Sequence, residues 1–114
     1  SPLNTSTASD VSLMVHAAAR YPAIVRATTA SRSVFPIDGK LVEYRNTNPL
    51  VGQKGRDIAL SKTGFTDAAG RCLIMRLRTV RDSVTMVFLD AEPSAFPVRD
   101  AINVRRLLLA DKVA

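Results

Sequence analysis

Between Asp57 and Leu89 three segments of strand-like pattern follow one another, joined by connections of only a few residues. Such connections permit only antiparallel neighbours, because a parallel crossover takes about a dozen residues or more. From Asp57 to Gly64, Ile58 and Leu60 alternate with Ala59 and Ser61. Phe65 to Gly70 reads as the connecting turn. Cys72 to Thr79 alternates again and puts Leu73, Met75 and Leu77 on one face. Val80-Arg81-Asp82 turns into Ser83–Leu89, which is apolar on both faces, the pattern expected of a central strand. A meander of this kind needs cover for its apolar faces, and the flanking sequence offers helices.

Residues 6–20 read as a helix. Thr7 stands at the cap with Asp10 three residues later, the capping-box spacing, and Val11, Met14, Val15 and Ala18 recur at helical intervals. Tyr21-Pro22 ends that run and opens a short second helix through Ile24 and Val25. Residues 33–36 and 40–45 read as two short strands around the turn Ile37-Asp38-Gly39. Asn46-Thr47-Asn48-Pro49 forms one loop and Gly52 to Gly55 another. Pro93 and Pro97 lead into a last helix over 98–110, with Val98, Ala101, Ile102, Leu108 and Leu109 as its inward stripe. The expected fold is α+β, an antiparallel sheet with flanking helices in one unit over residues 1–114. Repeats, low-complexity tracts and an interdomain linker are not seen.

Composition narrows the function classes. No stretch approaches the roughly 18 consecutive apolar residues of a spanning helix, so no membrane span is expected. One cysteine and one histidine cannot form a disulfide or a protein zinc site, so neither metal nor cofactor is expected. The formal net charge is +6 and the pI about 10.3. The charges are spread along the chain, and with aromatic residues at 5% and tryptophan absent there is little for bases to stack on. A basic soluble surface, rather than a nucleic-acid interface, is the reading. Ser1-Pro2 opens the chain with no initiator methionine, basic region or apolar region of a signal peptide, and the chain is read as a processed product or a fragment. His16 sits on a helix with no serine or cysteine nucleophile motif near it, so it reads as a surface residue rather than a base.

Lys62-Thr63-Gly64 ends a predicted strand. The tripeptide alone says little, but its surroundings say more. Asn46-Thr47-Asn48-Pro49-Leu50, followed by Asp57-Ile58-Ala59-Leu60-Ser61-Lys62-Thr63-Gly64-Phe65-Thr66-Asp67-Ala68-Ala69-Gly70-Arg71-Cys72-Leu73, closely resembles the serine-type D-alanyl-D-alanine peptidases, the low-molecular-mass penicillin-binding proteins. Ser1 to Ala8 is similar to the segment before a helix in that family. The resemblance implies the C-terminal part of a penicillin-binding-protein/β-lactamase-like fold. Phe65 after the triad, and a chain end soon after the last helix, resemble the endopeptidase branch. The carboxypeptidase branch commonly has histidine there and an appended β-rich domain.

The family's motif set joins Lys-Thr-Gly to Ser-x-x-Lys and Ser-x-Asn. The resemblance assigns Lys62 to attract the substrate carboxylate and to assist proton transfer, and the Thr63 hydroxyl to donate a hydrogen bond to it. Gly64 leaves room for close approach to the strand. The backbone N–H of Phe65 becomes half of an oxyanion hole. Arg71 reads either as a ligand of the carboxylate or acidic stem peptide, or as a plain surface arginine. Lys62, without the resemblance, would be an exposed strand-end lysine. Asn46 and Asn48 read as satisfying turn hydrogen bonds.

This sequence contains neither Ser-x-x-Lys nor Ser-x-Asn. Tyr44-Arg45-Asn46 matches a Tyr-x-Asn variant by coincidence, lying too close before Lys62. Ser61 should point away from Lys62, and Cys72 reads as a small apolar strand residue. The expectation is therefore a portion of an acyl-serine peptidase acting on peptidoglycan stem peptides and binding β-lactams, with the nucleophile supplied by a missing N-terminal segment. Alone, the chain is not expected to be active. The alternative is a non-catalytic remnant that binds muropeptides or a partner. The resemblance places either in the periplasm. The faces Leu73/Met75/Leu77 and Val84/Met86/Phe88 are expected to lack full cover in this chain alone, which favours a complementary N-terminal chain or self-association.

Overall fold

The structure, a computed structural model, describes residues 3–53, 55, 57–79, 82–92 and 97–113, the last five by backbone alone. Two helices, α1 (Ala8–Ala18) and α2 (Pro22–Thr29), precede a hairpin of β1 (Arg32–Ile37) and β2 (Lys40–Arg45). The meander follows as β3 (Ile58–Thr66), β4 (Gly70–Arg78) and β5 (Ser83–Ala91), and α3 (Pro97–Val113) closes the chain. Both sheets are antiparallel: β1 pairs with β2, and the larger sheet has the order β3-β4-β5.

Local chemistry sets the boundaries. The Thr7 hydroxyl accepts the Asp10 N–H at 3.1 Å and caps α1. Pro22 opens α2 at a position whose N–H would have no partner in any case. Asp38 and Gly39 both take positive φ, 50° and 77°, the geometry that a two-residue hairpin loop needs to match strand twist. Gly70 (φ 69°) starts β4. A Cβ there would meet the Ala91 carbonyl oxygen at 2.8 Å, so no side chain fits.

Strand alternation then decides the packing. On one face of the sheet Leu73, Met75, Leu77 and Met86 are buried with Leu50 and with Ala101 of α3. Val98, Ile102, Val104 and Leu108 of α3 pack on the same cluster. On the other face Leu60 is buried with Val11 and Val15 of α1, with Ile74 and Val87 packed beside them. The result is three layers, α3 on one side of the sheet and α1 on the other.

Three expectations need correction. β5 is an edge strand among the described residues, and β4 lies in the centre. The apolarity of β5 on both faces reflects helices on both sides, Met86 and Phe88 lying towards α3 and Val87 towards α1. Phe65, Thr66 and Gly70 belong to strands rather than to the turn, which is only Asp67 to Ala69. The Leu73/Met75/Leu77 face is not left open: those residues are 1%, 1% and 3% exposed. Exposed apolar side chains instead gather on the β1–β2 hairpin, where Val34, Phe35, Ile37, Leu41 and Tyr44 face solvent. Val80 and Arg81 of the predicted turn, Pro93, and the Leu109 side chain of the predicted stripe lie outside the described residues.

Leu73 is buried in the sheet's main apolar cluster, so Leu73→Ala should lower unfolding stability by about 2–5 kcal/mol. Leu41→Ser, at a residue 77% exposed, should change it by less than about 0.5 kcal/mol. Urea denaturation followed by circular dichroism measures both.

Candidate functional site

Strand β3 carries Lys62-Thr63-Gly64-Phe65 along the outer edge of the sheet. Successive side chains alternate, and the two faces meet different surroundings. Ser61 and Thr63 lie on the α3 side, tied to the loop after β2. Asn48 Nδ2 donates to Ser61 Oγ at 2.9 Å, and the Thr47 and Thr63 hydroxyls share a short hydrogen bond. Lys62 pairs across the ladder with Ile74, whose side chain packs on the α1 side. Its ammonium group is exposed and donates to the Thr63 carbonyl.

Asn48 holds the loop. It is 1% exposed, and its Oδ1 accepts the Leu50 N–H at 3.0 Å while its amide also approaches Met75 Sδ at 3.5 Å. Asn46 Oδ1 accepts the Asn48 N–H at 2.9 Å, and its Nδ2 donates to the Thr28 and Ala30 carbonyls at 3.0 and 3.1 Å. The turn role read for both asparagines is present. Each also reaches across the fold, which no local pattern indicates.

A cavity of about 610 Å³ opens between this loop, the β3–β4 end of the sheet and the start of α3. Of the residues singled out by sequence, Thr63, Gly64, Phe65, Arg71 and Cys72 line it, and Lys62 does not. Lys62 lies beside it on the opposite face of β3, so a ligand touching both must run along the strand edge across Gly64. Arg71 faces Phe65 in the ladder, its guanidinium carbon 5.5 Å from the ring centre, within cation–π range. Ser61 is 3% exposed and held by Asn48, outside the cavity. His16 lies on α1, on the far side of the sheet.

Two lining residues were missed by sequence reasoning. Thr47 reaches the cavity through its bond to Thr63, and Arg99 reaches it from the first turn of α3. Nothing local marks Arg99. Its place follows only from α3 folding back over the sheet. Arg71, Arg99, Thr47 and Thr63 thus line the cavity, and since one threonine hydroxyl donates to the other, the pair leaves one hydroxyl proton beside the two arginines, donors of the kind that suit a carboxylate. Groups of three or more potential metal ligands are absent among the described residues.

Residues 1–93 match the D-alanyl-D-alanine carboxypeptidase family. The chain belongs to this family. It is similar to the D-alanyl-D-alanine endopeptidases of Pseudomonas aeruginosa and Escherichia coli K12, at 38% and 36% identity over 112 residues, 96% of this chain. In each case it spans 36% of the relative's length. Among solved structures it is similar to a D-alanyl-D-alanine carboxypeptidase from Mycobacterium tuberculosis H37Rv, with a TM-score of 0.65 and 24% identity over 74% of this chain and 31% of that one. It is also similar to penicillin-binding protein D2 from Listeria monocytogenes in its cefotaxime-bound form, with a TM-score of 0.60 and 28% identity over 76% of this chain and 34% of that one. The α+β arrangement of this D-alanyl-D-alanine carboxypeptidase family member therefore corresponds to part of those folds.

Asn48→Ala strands the Leu50 N–H and the Ser61 hydroxyl in a buried place. It should cost about 2 kcal/mol or more, and thermal melting should show the loss. Asn46→Asp keeps Oδ1 but replaces the donor to the Thr28 and Ala30 carbonyls by a carboxylate oxygen that both repel, so it too should lower the melting temperature.

Proposed function

We propose that this chain is the C-terminal part of a serine-type D-alanyl-D-alanine peptidase domain, and that the β3 edge and its cleft bind the carboxylate-terminated end of a peptidoglycan stem peptide. The nucleophile comes from a segment outside this sequence, which has no Ser-x-x-Lys. An extended peptide adds to an exposed strand edge through main-chain hydrogen bonds. Lying across Gly64, it meets the Lys62 ammonium from one face of β3 and Thr63, Arg71 and Arg99 from the other.

The observation that carries this reading is Gly64. Its φ is not positive, and an added Cβ would meet only Cys72 Cβ at 3.9 Å, an ordinary contact. Gly70 is different, because the chain's own backbone excludes a side chain there. Glycine weakens a strand, and nothing inside this chain asks for it at position 64. Close approach of a ligand or a catalytic helix does.

In the acyl-serine route the serine oxygen bonds to the penultimate D-alanyl carbonyl carbon, and the peptide C–N bond breaks. The leaving amine takes a proton, and water then cleaves the ester. The Phe65 N–H is assigned to half of the oxyanion hole, stabilising the charge that grows on the attacked oxygen. Lys62 holds the carboxylate end and assists proton transfer. The likeness to two bacterial endopeptidases favours cleavage of cross-links, an endopeptidase reaction. The cefotaxime-bound relative supports β-lactam binding. On this reading the chain works at the cell wall, in the periplasm. A non-catalytic muropeptide-binding role is the second reading; it shares the same cleft and differs in forming no acyl-enzyme.

Covalent labelling by a fluorescent penicillin separates the two. The chain alone should not label. Paired with a chain carrying Ser-x-x-Lys and Ser-x-Asn, it should restore labelling of that serine, and Lys62→Ala should cut the rate by about a hundredfold or more. Gly64→Ala should leave the melting temperature within about 2 °C while lowering labelling at least about tenfold, on the order of 1.4 kcal/mol of barrier. No labelling with the complementary chain present, or a Gly64→Ala variant that labels like the parent, contradicts the peptidase reading.

A further inference from the structure

A second cavity, of about 420 Å³, opens on the α1 side of the sheet at the other end of β4. It shares no lining residue with the cleft beside Gly64. Arg76 and Arg78 of β4 form one wall, His16 of α1 and Arg20 of the turn after it another, and Ser83 starts β5 at the same place. Among the described residues, no aspartate or glutamate lines it.

Three observations mark this cluster as more than a basic surface. Arg76 is half-buried, and its Nη1 donates to Thr85 Oγ1 at 2.8 Å, which holds the guanidinium against β5 beside the cavity. The ion pairs among the described residues, Arg32–Glu43 and Arg45–Glu43, both lie on the β1–β2 hairpin. Arg20, Arg76 and Arg78 thus form no ion pair among the described residues; the nearest aspartates along the chain ladder are Asp57, whose carbonyl accepts the Arg78 N–H, and Asp82, next to Ser83. Three guanidiniums brought round one concavity repel each other and raise its local positive potential, which an anion relieves.

We propose that this cavity binds a phosphate group, free or carried on a lipid headgroup. The guanidinium fork matches phosphate oxygens in bidentate fashion. A phosphate offers several oxygens to donors arriving from separate walls, and the Ser83 hydroxyl adds a neutral donor. A monocarboxylate presents fewer oxygens and a single charge, too little to engage Arg20, Arg76 and Arg78 together. The site is independent of the peptidase reading.

The test is a titration of the ¹⁵N-labelled chain with inorganic phosphate at constant ionic strength, against chloride. One-site saturation is expected at concentrations on the order of 1 mM or below, with shifts centred on the amides of Arg20, Val25 and Ser83. Arg20 and Arg78 are exposed, so Arg20→Gln/Arg78→Gln should stay folded by circular dichroism and weaken binding at least about tenfold. Arg32→Gln, on the hairpin, should leave it unchanged. Flotation with phosphatidylglycerol vesicles, against phosphatidylcholine, distinguishes the source. Binding that depends on Arg20 and Arg78 assigns a headgroup, and phosphate saturation without flotation assigns a free phosphate. Shifts no larger than those from chloride, or a double variant that binds like the parent, overturn the proposal.

Discussion

Strand β4 is the part on which the rest depends, because it is the one described strand of the sheet packed from both sides and paired along both edges. Leu73, Met75 and Leu77 send their side chains under α3, and Ile74 sends its own towards α1. Each removed methylene there loses roughly 0.8 kcal/mol of burial before any cavity is counted. With β4 fixed, β3 has a single register, and a slip by one residue would put Lys62 into the face that now holds Ser61 and Thr63. The edge that carries Lys62-Thr63-Gly64 is thus set by a hydrophobic row one strand away.

The loop after β2 transmits that order to the cleft. Asn48 is buried against Ser61 and Met75, so the loop is locked to β3 and β4 at once. Thr47 is thereby delivered to Thr63, and Pro49 to the cavity wall. From the opposite direction, Ala101, with no exposed surface, lets α3 sit close enough to the sheet for Arg99 to reach the same rim. A strand edge, a polar loop and a helix start converge on one place because each is pinned by a separate buried group.

Much of this was legible in the sequence. The Thr7 cap, the Asp38-Gly39 turn, the meander and the closing helix all rest on signals within a few residues of one another, and these survive in the structure. The misreading of β5 has a physical cause: periodicity reports how many faces are buried, not how many edges are paired. In β4 the Leu73, Met75 and Leu77 row reports the burial of one face plainly, yet Ile74 between them is covered by α1 as well. The cleft was half legible. Lys62 to Phe65 form one contiguous motif, whereas Thr47 and Arg99 join it only through tertiary packing, across 16 residues in one case. The basic cavity has the same character, since His16 and Arg20 come from the last turn of α1 and the turn after it and Arg76 and Arg78 from a distant strand.

The central claim is that the β3 edge beside Gly64 receives the carboxylate end of a peptide. The most direct measurement is a ¹⁵N–¹H NMR titration of the chain with an acylated peptide ending in D-alanyl-D-alanine. The account predicts saturable shifts concentrated at Thr63, Gly64, Phe65, Arg71 and Arg99, lost when the terminal carboxylate is replaced by an amide. Shifts that are absent, that do not depend on the carboxylate, or that centre on the β1–β2 hairpin would contradict it.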